Sequence, residues 1–95
     1  MARYISLLRF TEQGAKNIKK STARAHAFDK LAAKSGVKVE AQYWTMGKYD
    51  GVIILSADSE KKVLHLLASL ASLGNVRTST MQALTDKEFD AVAGK

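Results

Sequence analysis

Asp50 is the residue best placed to do chemistry. It follows Tyr49 where a glycine-containing turn, Gly47 to Asp50, feeds the apolar run Val52–Leu55, and the strand pattern before the turn ends on Tyr43 and Trp44. A carboxylate beside aromatic rings at the entry to a buried strand can accept a proton from a substrate or orient a ligand. The same position suits a turn carboxylate that accepts bonds from backbone N–H groups, so both uses are open. Trp44 or Tyr49 could pack on a planar ligand, although large aromatics at such places also serve as core or interface. Further along, Thr78 and Thr80 alternate with Arg77 and Ser79, which sets two hydroxyls on one side of a strand that either lines a wet pocket or lies at a sheet edge. The candidate ligand-lining set is therefore Trp44, Tyr49, Asp50, Thr78 and Thr80.

Other chemistries find less support. His26 and His65 are the only histidines, both fall on polar sides of helical patterns, and no His-x-x-x-His or cysteine cluster accompanies them. No metal site and no cofactor are expected. Zero cysteines remove disulfides, thiolate ligands and thiol nucleophiles. Ser, His and Asp are not linked by a nucleophile-elbow motif, and the isolated Gly47 and Gly74 make no phosphate loop. No apolar run reaches the roughly 20 residues of a membrane span, and the N-terminus lacks the apolar centre of a signal peptide. A soluble, cytoplasmic protein with no membrane association is expected.

The charge is unevenly placed. Nine of the 15 Lys and Arg lie in residues 1–38 against only Glu12 and Asp29, so the net +6 comes from the first strand and helix. Lys16, Lys19, Lys20, Arg24, Lys30 and Lys34 gather opposite an apolar stripe of Ile18, Ala25, Phe28 and Ala32. Such a face is either a solvated surface or a dock for an acidic partner. Nucleic acid is disfavoured, because the strand with paired aromatics on which ferredoxin-like RNA binders stack bases is missing.

The elements that position these residues follow from periodicity. Arg3 to Phe10 alternates with apolar residues on both sides and so belongs in the centre of a sheet. Thr11 caps a helix that runs to Lys34 with a break near Ser21 and Thr22, and Gly36 stops it. Val37 to Met46 alternates, with Val39, Ala41 and Tyr43 on one face and Glu40, Gln42 and Trp44 on the other. Val52 to Ala57 is a third strand. Asp58 caps a helix carrying Val63, Leu66, Leu67 and Leu70, and Gly74 ends it. Val76 to Leu84 is the fourth strand, and Thr85 to Glu88 is a capping box for a short terminal helix. The order β-α-β-β-α-β in one domain over residues 1–95 predicts an α+β, ferredoxin-like fold: a four-stranded antiparallel sheet with two helices on one face. The other face, still apolar, is expected to be covered by a second copy, giving a homodimer or higher oligomer.

The opening YISLLRFTEQGAKNIK, the hairpin YWTMGKYDGVII and the ending SLGNVRTSTMQAL span nearly the whole length, and together they resemble the GYD-domain family. The family's name motif stands here as Gly47-Lys48-Tyr49-Asp50, and Thr22 replaces a proline common in the family after the serine at position 21. The resemblance implies a dimeric α/β barrel of the ferredoxin-like group and no established reaction. A more distant similarity, through the hairpin and the Val76-Arg77-Thr78 strand, is to the effector-binding domain of feast/famine transcription regulators, where small effectors bind between subunits. Their helix-turn-helix has no counterpart in this sequence, so a sensed molecule would act through another protein. Three functions follow as expectations. The first is a homo-oligomeric module that binds a small organic ligand between packed sheets. The second is a cofactor-independent oxygenase or isomerase with Asp50 as base. The third is a structural or partner-binding protein using the basic helix.

Overall fold

The computed structural model describes residues 1–94. Strands β1 (Ala2–Phe10), β2 (Lys38–Trp44), β3 (Gly51–Ala57) and β4 (Val76–Ala83) form one sheet in the order β2-β3-β1-β4 with every neighbour antiparallel. Helices α1 (Glu12–Lys16) and α2 (Ser21–Lys34) follow β1, α3 (Glu60–Ser72) follows β3, and α4 (Asp86–Val92) closes the chain. This is the ferredoxin-like plan, with the two-sided apolar strand β1 in the interior as its alternation demands. On the helix-covered face Tyr4 and Leu55 pair across the sheet and pack with Phe28, Ala32, Val63 and Leu66 in the core. Leu55 and Leu66 are fully buried, each contributing about 1.5–3 kcal/mol from lost water contact.

The local signals account for most boundaries. Thr11 caps α1, its hydroxyl accepting the Gly14 N–H at 3.1 Å. Gly36 and Gly74 take positive φ of 77° and 81° after α2 and α3, where a side chain would be strained. Thr85 and Glu88 form the reciprocal capping box of α4, at 3.2 and 2.8 Å.

Three expectations need correction. The first helix is interrupted by a 3-10 turn at Ile18–Lys20, ahead of Ser21, so its phase is reset and Ile18, expected on the buried stripe, is 53% exposed. Asp58 does not cap α3; Ser59 occupies the N-cap position, and Asp58 instead bonds Lys62 one turn on, at 3.0 Å. Most consequential is a β-bulge in β2, where the register against β3 shifts between Val39 and Ala41. Glu40 is the extra residue. Beyond it the alternation is reversed, so Gln42 and Trp44 share the helix side with Val39 while Ala41 and Tyr43 turn to the open face. Glu40 stays on the open face, accepting the Ser56 hydroxyl at 2.8 Å.

Candidate functional site

A cavity of about 270 Å³ lies between α2 and one end of the sheet. Its floor is Gly51, which pairs with Leu8 on one side and Trp44 on the other. Apart from its own chain neighbours, a Cβ at Gly51 would meet only the Tyr43 carbonyl oxygen, at 3.1 Å. The missing side chain therefore leaves a gap that neighbouring residues do not fill. Opposite it, α2 presents Ala25 and Phe28, and Phe10 and Leu70 complete the apolar wall. Trp44 forms the rim, 51% exposed.

The polar groups around this cavity are few and mostly engaged. Gln42 donates to the Asp29 carboxylate on α2, which ties the bulged strand to the helix above it. Asp50 accepts the Phe10 N–H on Oδ2 at 2.8 Å, and its own N–H donates to the Leu8 carbonyl at 2.7 Å. The carboxylate thus bonds backbone 40 residues away rather than within its own turn, pinning the hairpin to the end of β1. Arg24 donates to the Asn17 carbonyl at 2.8 Å and so braces the 3-10 turn against α2. Among the described residues no carboxylate lies within ion-pair distance of Arg24.

A clasp closes the far side of this end. The Thr11 N–H donates to the Asn75 carbonyl at 3.0 Å, the Thr11 hydroxyl donates to the Gly74 carbonyl, and Gln13 Nε2 reaches both the Leu73 carbonyl at 3.0 Å and Asn75 Oδ1 at 2.9 Å. These bonds satisfy carbonyls left open at the end of α3 and hold α1 against it.

Of the five candidate lining residues, the structure brings Trp44 and Asp50 together at the cavity. Tyr49 stays outside it, with Arg9 and Lys48 over its ring at 5.6 and 5.7 Å from the centroid. Thr78 and Thr80 also face the helix side, but on the β4 edge, where Thr80 shares a 2.8 Å hydrogen bond with the buried Ser6 hydroxyl. Of the basic residues, Lys16, Lys19, Lys20, Lys30 and Lys34 are exposed, and Arg24 is half-buried at the cavity. His26 and His65 are both exposed. Gly51, Ala25 and Phe10 escaped the sequence reading as site residues. Their gap arises between elements distant in the chain, and only the glycine directly after Asp50 hinted at it.

The open face is a second surface. Ile5, Leu7, Val52 and Ile54 sit at its centre, Tyr43 and Met81 flank them, and Arg3, Arg9 and Arg77 stand around them. Among the described residues no helix is long and apolar enough to cross a membrane.

The family model for the GYD domain matches residues 4–93. The chain belongs to the GYD domain family. Within it, the "Glutamine synthetase and cystathionine beta-lyase binding protein" of Thermus thermophilus is 34% identical over 85 residues, 88% of this chain and 90% of that protein. The fold of this GYD domain is shared with the crystal structure of FFRP-DM1, at 20% identity and TM-score 0.59 over 88% of this chain and 100% of that one. It is shared equally with a hypothetical protein of Pyrococcus horikoshii, at 19% identity and TM-score 0.58 over 90% and 93% of the two chains. In this GYD domain the motif that names the family supplies Asp50, whose carboxylate links the hairpin to β1.

Proposed function

We propose that this GYD domain is a homo-oligomeric binding module: two copies pack their open sheet faces together, and the assembly works by binding other proteins, enzymes among them. The observation that carries the first half is the continuous apolar centre of the open face, Ile5, Leu7, Val52 and Ile54, on a sheet whose other face its own helices cover. With strands about 4.8 Å apart and a rise of about 3.3 Å per residue, four strands make a face of about 20 by 23 Å. Two such faces bury on the order of 1,000 Å², the low end for a stable interface. The second half rests on the relative whose name records two enzymes as its partners. Lys16, Lys19 and Lys20, exposed on α1 and the 3-10 turn, give a basic surface suited to acidic patches on such partners.

Sedimentation velocity tests the assembly: the wild type is expected to run as a dimer or larger, and Ile54→Lys, which sets a charge in the middle of the face, as a monomer. A monomeric wild type at micromolar concentration would remove the first half. For the second, surface plasmon resonance against purified glutamine synthetase and cystathionine beta-lyase should show saturable binding to at least one. Reversal of Lys16, Lys19 and Lys20 to Glu should weaken that binding, and more so at low salt. Failure to bind either enzyme would overturn the partner reading and leave the dimer standing.

A further inference from the structure

We propose that the cavity beneath α2 binds a small amphipathic carboxylate, its apolar body over Gly51 between Phe10, Phe28 and Trp44 and its carboxylate at the mouth against Arg24. This goes beyond the sheet-face reading, because the cavity opens on the helix side and needs no second copy. Three observations carry it. The gap is built into the chain: the floor residue has no side chain, Ala25 of α2 lines the same cavity with only a methyl group, and apart from its chain neighbours a Gly51 Cβ would meet only the Tyr43 carbonyl oxygen. The wall is aromatic and aliphatic, the lining of a small-molecule site rather than of a water pocket. The charge at the mouth is positive and unpaired: Arg24 has no carboxylate partner among the described residues, Lys19 and Lys20 precede it, and the first turn of α2 holds no acid. Asp50, the one carboxylate on the lining, has Oδ2 occupied by the Phe10 N–H.

The volume of about 270 Å³ lies just under the usual range for ligand sites, which limits the occupant to about ten non-hydrogen atoms. A medium-chain fatty acid or an arylalkanoic acid has that size and polarity. Arg24 already donates from Nη1 to the Asn17 carbonyl at 2.8 Å and from Nη2 to the Gly14 carbonyl at 3.5 Å and the Ser21 hydroxyl at 3.4 Å, so it meets such a carboxylate through its remaining N–H groups, Nε–H among them.

Trp44 is the sole tryptophan, so its fluorescence reports the cavity directly. The full chain is titrated with octanoate, with 1-octanol as the tail without charge and with acetate as the charge without tail. Octanoate is expected to saturate the Trp44 signal and to bind at least tenfold more tightly than 1-octanol, with acetate silent. Arg24→Gln should abolish the preference for octanoate over octanol. Gly51→Val, which fills the floor with a β-favouring residue, should remove octanoate binding while far-UV circular dichroism stays native. Should that variant fail to fold, Ala25→Leu fills the same space from the helix side. Octanoate should also bind Ile54→Lys unchanged, which separates this site from the sheet interface. Absence of a saturable signal, equal affinity for octanol, saturation by acetate, or retained binding in a folded cavity-filled variant would each overturn the proposal.

Discussion

Replacing Gly14 by alanine sets two effects against each other. Gly14 lies in α1, and in an exposed helix interior the change would stabilise by about 1 kcal/mol. Here the new Cβ would stand 2.0 Å from the Asn75 carbonyl oxygen. A carbon and a carbonyl oxygen stay about 3.3 Å apart even in a close C–H···O contact, so α1 or the start of β4 must retreat by more than about 1 Å. The atom in the way is backbone, and it already accepts the Thr11 N–H at 3.0 Å. Retreat stretches that bond together with the Thr11 and Gln13 bonds to the end of α3, each worth about 0.5–1.5 kcal/mol. The expected net loss is about 2–4 kcal/mol, which for a chain of this size lowers Tm by about 10–25 °C. Thermal and urea unfolding, followed by circular dichroism at one fixed protein concentration, measure it. Gln13→Ala is the companion variant: it removes two clasp bonds without a clash and should cost about 1–2 kcal/mol. A Tm for Gly14→Ala equal to or above wild type would mean that helix propensity governs this position and that the clasp is not close-packed.

Asp50→Ala leaves the Phe10 N–H without its acceptor and should cost about 1–3 kcal/mol in urea unfolding. Asp50→Asn keeps an acceptor oxygen and should recover most of that; equal losses would remove the hairpin-anchoring role. The Thr85 N–H, then the Thr85 hydroxyl and Arg3, hold the Glu88 carboxyl below its ordinary value of 4.5. With its folded value depressed, the support that Glu88 gives α4 is present above pH 4.5 and is lost as pH falls through the lowered value. Carboxyl NMR should therefore show Glu88 titrating below 4.5, with Phe89–Val92 losing helical shifts in the same range, and Glu88→Gln should make those shifts independent of pH. Titration at or above 4.5 would deny the capping box its role.

The order of elements, the antiparallel hairpin and most helix ends were legible because each is written locally, the start of α3 at Ser59 rather than Asp58 being an exception. Thr11, Gly36, Gly74 and the Thr85–Glu88 pair act within a few residues of themselves, and the alternation of β1 and β3 reports two buried faces directly. Alternation is a count, however, and one inserted residue reverses it. Nothing near Glu40 announces the bulge, because the bond that stabilises it comes from Ser56 on another strand. The face assignments of Gln42 and Trp44 failed for that reason, and with them the placement of Trp44 between stacked sheets. Ile18 failed likewise, since the 3-10 turn at Ile18–Lys20 advances the helix by a different angle per residue. For Asp50 the sequence offers a ligand-facing carboxylate or an acceptor within its own turn, and the structure shows an acceptor whose backbone partner, Phe10, lies outside any local window.

The bulge in β2 also decides where this sheet ends. β2 is an edge strand, and a regular edge offers a ladder of free N–H and C=O groups to any passing strand. The extra residue at Glu40 breaks that ladder midway, and Lys38 and Glu40 hold a 3.7 Å ion pair beside the break. A fifth strand added there would find its register interrupted and a charged pair in its path. The residue that swings Trp44 toward the cavity thus also makes the β2 edge a poor template for a further strand.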